Sequence, residues 1–400
     1  MQRVEKNRVH GGKSPGIKTF LRRLSAGLLA AGMLAFPVQA QEDAVSAQGE
    51  PISVGANAAI VIELESGRVL YEQNIRERLP MASTTKIMTT MLTLEQENLD
   101  EEFTVDPQAI QVEGSSMGLV EGDIVTLRAL AYGMILPSGN DAANSAAVRI
   151  AGSQEAFVRL MNERAQEMGL VDTAFVTPSG LDADGHYSTA YDMAMLTRAA
   201  MQNPEFCEIC KLYRAQVKFG NPPQERWLKN HNKLIEMYDG CIGVKTGFTD
   251  NARRCLVSAA TRDGVTLVCV TLNAPDDWAI HSSLYDRAFA SLKRRSLSEL
   301  LPQEMKLDVT GGNKTQVPVQ CAWEPIASVS QGEYERLQVK VSLQKLEFAP
   351  VVAGQTVGTA EFYLDDTCLT KVPLTAGEEV AGITKPKKSF WEWLGSLFGS

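Results

Sequence analysis

Four hundred residues with 44% hydrophobic and 22% charged side chains exclude a disordered polymer and leave room for two or three units with cores of their own. A formal net charge of −9, with no basic stripe interleaved with aromatics, excludes a chain built to track a phosphate backbone, so no nucleic acid partner is expected. Seven cysteines at this length do not make a disulfide scaffold, and an odd count leaves at least one unpaired.

A basic stretch (Arg3, Lys6, Arg8, Lys13, Lys18, Arg22, Arg23) precedes an apolar run from Leu24 to Pro37, then the small-residue site Val38-Gln39-Ala40. This order predicts a secretory signal peptide over 1–40. The run is too short for a bilayer span, which needs roughly 20 residues. Its removal takes away seven positive charges and one negative, leaving the mature chain at −15.

A polar linker over 41–55 leads into alternation at Ile60, Ile62 and Leu64, a turn at Ser66-Gly67, and alternation again at Val69 and Tyr71. The pattern predicts a hairpin with one buried face. Helical spacing follows over Ser83 to Glu95, Thr126 to Ile135, Ala142 to Ile150 and Gln154 to Met168. Strand signals return at 243–247, 256–260 and 266–272, and a closing helix is expected over Asp286 to Leu300. Strands, a block of helices and strands again predict an α+β domain over 56–300 whose sheet joins the two ends of the segment. Cys241 and Cys255 flank these late strands and form a candidate pair; most of the other cysteines read as small buried hydrophobes.

From Leu301 short alternating runs (306–310, 316–323, 337–343, 358–364, 369–374) are separated by Gly, Pro and Asp clusters, which predicts an all-β module over 301–382. Over 383–400, Phe390, Trp391, Trp393, Leu394, Leu397 and Phe398 occupy half of a helical wheel, with Lys385, Lys387 and Lys388 upstream. Such a helix is expected to lie in a membrane surface as an anchor.

Only His186, His231 and His281 remain after residue 40, and no H-E-x-x-H occurs. A Ser-His-Asp hydrolase and a zinc hydrolase are both disfavoured, and no metal or cofactor is expected. Cys207 and Cys210 form a C-x-x-C without a second pair at zinc-like spacing. Another general base is needed. Ser83 and Lys86 stand three apart at a helix start, where one face carries both and the helix N-terminus favours developing negative charge. A serine hydroxyl must lose its proton as it attacks, and a lysine takes it if burial and nearby positive charge lower its pKa.

An S-x-x-K is expected about once by chance in such a chain, and Ser342-Leu343-Gln344-Lys345 is a second example within the β-module. Two further elements separate the pair. Ser138-Gly139-Asn140 is the only S-x-N, and Lys245-Thr246-Gly247 the only K-T-G, a tripeptide expected on the order of 0.1 times per chain.

The three elements in this order resemble the motif set of penicillin-binding proteins and class A β-lactamases. The chain as a whole resembles the low-molecular-weight penicillin-binding proteins, the serine-type D-Ala-D-Ala carboxypeptidases. The resemblance extends through Glu77-Arg78-Leu79-Pro80, Gly114-Ser115-Ser116-Met117, Leu136 to Ala143, Gly180 to Gly185 and Asn230 to Leu234. It implies a β-lactamase/transpeptidase-like domain, an antiparallel sheet with a helical cluster, followed by a small all-β domain and a C-terminal amphipathic helix. It implies an exported enzyme at the outer face of the cytoplasmic membrane, acting on peptidoglycan stem peptides and trapped covalently by β-lactams. Ser83 would form the acyl-enzyme and Lys86 take its proton; Ser138 would relay a proton to the leaving D-alanine. Asn140 would hold Lys86 and the peptide, Lys245 and Thr246 the terminal carboxylate. The N–H groups of Ser83 and Phe248, the latter just past Gly247, would form the oxyanion hole. Phe248 departs from the His or Tyr common in the family, and His186 is given no role.

Three rivals stand beside this reading. A class A β-lactamase would carry E-x-x-L-N between the second and third motifs, and the nearest segment, Glu225 to Lys229, ends in lysine. A DD-endopeptidase of the same fold differs only in accepting cross-linked substrates. A non-catalytic cell-wall binding protein would not require the nucleophile.

Overall fold

The structure is a computed structural model that describes residues 53–383. The expected signal peptide, most of the linker and the amphipathic tail lie outside the described residues.

β1 (Ala58–Glu63) and β2 (Val69–Gln73) form the expected hairpin. The chain then passes through a 3-10 turn at Ala82–Thr85 into α1 (Lys86–Leu94), and two short strands, β3 (Phe103–Thr104) and β4 (Ile124–Val125), follow. The helical block is α2 (Leu127–Ile135), α3 (Asn140–Ala151), α4 (Gln154–Glu167), α5 (Ala190–Ala200) and α6 (Pro204–Cys210). Thr126, Ser153, Thr189 and Asn203 cap α2, α4, α5 and α6 by accepting backbone N–H bonds. A hairpin of β5 (Arg214–Gly220) and β6 (Pro223–Lys229), a single turn α7 (Leu234–Met237), and the strands β7 (Cys241–Thr249), β8 (Arg253–Arg262) and β9 (Val265–Leu272) complete the segment before α8 (Asp277–Ser291).

The central sheet runs β2-β1-β9-β8-β7, antiparallel throughout, so the two ends of the segment meet where β1 pairs β9. The hairpin does not have one buried face as its alternation predicted: every residue of β1 is buried. Ala58, Ile60 and Ile62 pack with the helical block, while Val61 packs with Ile280, Leu284 and Tyr285 of α8 on the other face. Helices on both faces remove the solvent that polar alternation would otherwise meet. Strand β7 forms one edge of this sheet.

Two further expectations are corrected. The closing helix begins at Asp277 and ends at Ser291, and the chain then forms β10 (Lys293–Ser296). Lys293 to Ser296 supplies four residues of ladder to β13 (Ile326–Val329), and pairing across to the second module outweighs helix continuation there. Cys241 and Cys255 lie on neighbouring strands but not opposite one another: Cys241 faces Ala260 and Cys255 faces Gly247, and both are free thiols.

The second module contains β11 (Lys306–Thr310), β12 (Gln316–Cys321), β13, a helical turn α9 (Gln331–Tyr334), β14 (Gln338–Leu343), β15 (Glu347–Phe348), β16 (Thr356–Leu364) and β17 (Thr367–Ala376). Its six-stranded sheet, β14-β16-β17-β12-β11-β15, encloses a separate core of Leu307, Val317, Phe362 and Leu374 among others. Besides the β10–β13 ladder, Arg68 joins the two modules by bonding the Ser328 carbonyl at 3.0 Å and pairing with Glu333.

Candidate active site

Ser83 sits in the 3-10 turn that opens α1, and residues three apart eclipse in such a turn. Lys86 Nζ accordingly lies 2.9 Å from Ser83 Oγ. Ala82, just before the serine, is held at φ +49°, a conformation that L-residues adopt only where neighbours impose it. Two glycines make this fit. A side chain on Gly247 would come within 3.2 Å of Ser83 N, and one on Gly180 within 2.1 Å of the Ala82 carbonyl oxygen. Edge strand β7 and the loop before α5 can therefore close on the turn from two sides.

Lys86 is wholly buried. Burial first, then the charge of Lys245, drives its pKa well below the ordinary lysine value, with Asp141 opposing. Its other contacts are Asn140 Oδ1 at 2.7 Å and the Ser179 carbonyl at 2.6 Å. Asn140 Nδ2 donates to the Glu113 carbonyl at 2.7 Å, which orients the amide oxygen toward the lysine. A neutral amine has two N–H donors and one lone pair. With Lys86 neutral, Asn140 Oδ1 and the Ser179 carbonyl would take the two donors and leave the lone pair for the Ser83 hydroxyl.

Ser138 lies between α2 and α3 at φ +62° and accepts from Lys245 Nζ at 2.9 Å. Lys245 also donates to the Thr246 carbonyl at 2.8 Å, and burial lowers its pKa to about 7. Asp141 secures the facing loop: its buried carboxylate accepts from Ser116 Oγ and from the N–H groups of Met117, Gly118 and Leu119. That loop supplies the Ser115 carbonyl, which receives the Asn140 N–H at 2.8 Å.

A cleft of about 660 Å³ opens here, lined by Ser83, Ser138, Asn140, Thr246, Gly247 and Phe248 among others. Phe248 stands on the rim, 60% exposed. The three motifs, separated by more than 150 residues of sequence, thus converge on one cleft. The second S-x-x-K does not join them: Ser342 is an exposed residue of β14, and Lys345 is exposed just beyond the strand.

Sequence reasoning missed Ser179, which acts through a main-chain carbonyl and leaves no side-chain signature. It also assigned nothing to Asp141, although an acid following the S-x-N at a helix N-terminus was a visible signal.

Comparison with known proteins agrees with this geometry. A family model described as D-alanyl-D-alanine carboxypeptidase matches residues 43–276, and one described as the C-terminal domain of penicillin-binding protein 5 matches 301–381. The D-alanyl-D-alanine carboxypeptidase DacF of Bacillus subtilis is 31% identical over 385 residues, 93% of this chain and 98% of that protein. DacC of Escherichia coli is 33% identical over 383 residues, 90% of this chain and 92% of that protein. Among solved structures, penicillin-binding protein 5 of Haemophilus influenzae aligns with a TM-score of 0.66 at 27% identity, covering 84% of this chain and 100% of its own. A D-alanyl-D-alanine carboxypeptidase of Mycobacterium tuberculosis aligns at 0.58 and 35% identity, over 61% of this chain and 95% of its own. With a family model spanning more than half of its length and relatives matching along nine-tenths of it, the chain belongs to the D-alanyl-D-alanine carboxypeptidase family of penicillin-binding proteins.

Proposed function

We propose that this carboxypeptidase releases the terminal D-alanine of peptidoglycan stem peptides through an acyl-enzyme on Ser83. The observation that carries the assignment is a buried Lys86, driven toward its neutral form, 2.9 Å from Ser83 Oγ. Lys86 takes the hydroxyl proton as Ser83 attacks the carbonyl between the two D-alanines. The N–H groups of Ser83 and Phe248 bind the oxyanion. Ser138, hydrogen-bonded to Lys245, passes a proton to the departing amine. Lys245 and Thr246 hold the terminal carboxylate, and Asn140 holds Lys86 and the peptide. Water then releases the shortened stem, whereas a β-lactam leaves a ring-opened acyl group on Ser83.

The proposal includes location: export by the leader over 1–40 and attachment to the outer face of the cytoplasmic membrane by the aromatic tail. Both rest on the sequence pattern.

The test is mass spectrometry of pentapeptide muropeptides before and after incubation, together with labelling by a fluorescent penicillin. The wild-type protein should release D-alanine and take the label, Ser83→Ala should do neither, and Ser342→Ala should match wild type. Labelling that survives Ser83→Ala refutes the assignment. Cleavage of cross-linked dimers alone would make the enzyme an endopeptidase instead.

A further inference from the structure

His186 is buried at the end of a hydrogen-bonded chain that runs to the nucleophile's own peptide group. Its Nδ1 lies 2.9 Å from the Val176 backbone N–H, which can only donate, so Nδ1 carries the lone pair and the ring proton resides on Nε2. Nε2 lies 2.8 Å from Thr85 Oγ1, and Thr85 Oγ1 donates in turn to the Ala82 carbonyl at 2.8 Å. A hydroxyl has one proton. Since Thr85 spends it on Ala82, it accepts from His186, and the tautomer demanded at Val176 is the one that completes the relay.

The Ala82 carbonyl and the Ser83 N–H belong to one planar peptide unit, so fixing the direction of one fixes the other. This is the peptide that follows the strained Ala82. Gly180 packs on the same carbonyl with no room for a side chain. The loop bearing Val176 and Gly180 also bonds α1 through Thr89 to the Pro178 carbonyl at 2.6 Å and Lys86 to the Ser179 carbonyl. His186 therefore clamps the turn within a loop that also orients the base.

We infer that His186 is a positioning residue that aims the Ser83 N–H into the oxyanion hole by way of Thr85. The inference rests on the proposed role of Ser83 as nucleophile and oxyanion donor. Burial, the largest influence on the ring, lowers its pKa to about 4; Lys86 pushes the same way and Asp182 opposes, so the ring is neutral at ordinary pH.

The experiment measures penicillin acylation by stopped flow, separating the Kd of the initial complex from the acylation rate, with Tm recorded for every variant. Thr85→Val, nearly isosteric, and His186→Ala should each slow acylation roughly tenfold with Kd unchanged, a part of what losing an oxyanion donor costs. The double variant should be no slower than either single one, because both break one relay. His186→Gln, which restores an N–H donor toward Thr85, should recover most of the rate, and Thr85→Ser should keep it. A folded Thr85→Val with wild-type acylation overturns the inference. So do losses that multiply in the double variant, a loss confined to Kd, or a Thr85→Ser as slow as Thr85→Val. Failure of the underlying reading looks different: the wild-type protein would not be labelled, or Ser83→Ala would be.

Discussion

Asn140→Asp changes the charge beside Lys86 while leaving the side chain's shape almost intact, and its effect can be worked out from one distance. Asn140 Oδ1 lies 2.7 Å from Lys86 Nζ. A full negative charge there would interact with an ammonium by about 6 kcal/mol at an effective dielectric of 20. Allowing about half of that for desolvating the new carboxylate and for its repulsion from the Glu113 carbonyl leaves ~3 kcal/mol, or about two pH units. The sign follows from the partner: a carboxylate favours the protonated amine, so it opposes the burial that holds the Lys86 pKa down. The base form then dominates only at higher pH. The second-order rate of penicillin labelling should fall about a hundredfold on the acid side of its pH profile, with the acid limb displaced upward by about two units. The ratio of variant to wild type should recover as pH rises. Asn140→Ala, which removes the contact without adding charge, should lose rate without moving the limb upward. A loss of the same factor at every pH in Asn140→Asp would refute a neutral Lys86 as the general base.

Asp141→Asn tests the loop clamp. Whichever way the amide turns, its NH₂ meets at least two N–H groups now bonded to the carboxylate, a loss of ~3 kcal/mol and about 6–10 °C in Tm. Thermal unfolding checks it, and an unchanged Tm would remove Asp141 from the clamp. Truncation after Thr384 should shift the protein from membrane to soluble fractions on cell fractionation; unchanged partitioning would remove the tail as the anchor.

The chemistry was legible in the sequence because it depends on side chains at short, fixed spacing. Ser83 and Lys86 need only three residues of separation at a helix start, and Lys245-Thr246-Gly247 needs only a strand. Most strands of the second module were legible for the same reason: Leu307 and Val309 in β11, and Val317 and Val319 in β12, are buried between exposed neighbours, whereas β13 and the two-residue β15 went unread. Hairpin β5–β6 and helices α5 and α6 went unread. In β5 and β6 charged residues occupy much of the exposed face and the apolar signal is thin, while α5 and α6 mix small and polar residues with few strong apolar repeats.

Composition, motif order and family resemblance together determined an acyl-enzyme hydrolase on an α+β domain with an all-β module behind it. Tertiary structure decided what makes Ser83 and Lys86 different from Ser342 and Lys345. Only folding removes water from Lys86, brings Lys245 close enough to press on its charge, and points the Ser179 carbonyl and the Asn140 amide oxygen at its amine. A pKa is set by solvent and by charges within a few ångströms, and neither is encoded in the spacing of neighbours along a chain. The relay from His186 to the Ala82 carbonyl has the same origin. It joins residues a hundred positions apart through a threonine hydroxyl, and no local pattern in the chain announces it.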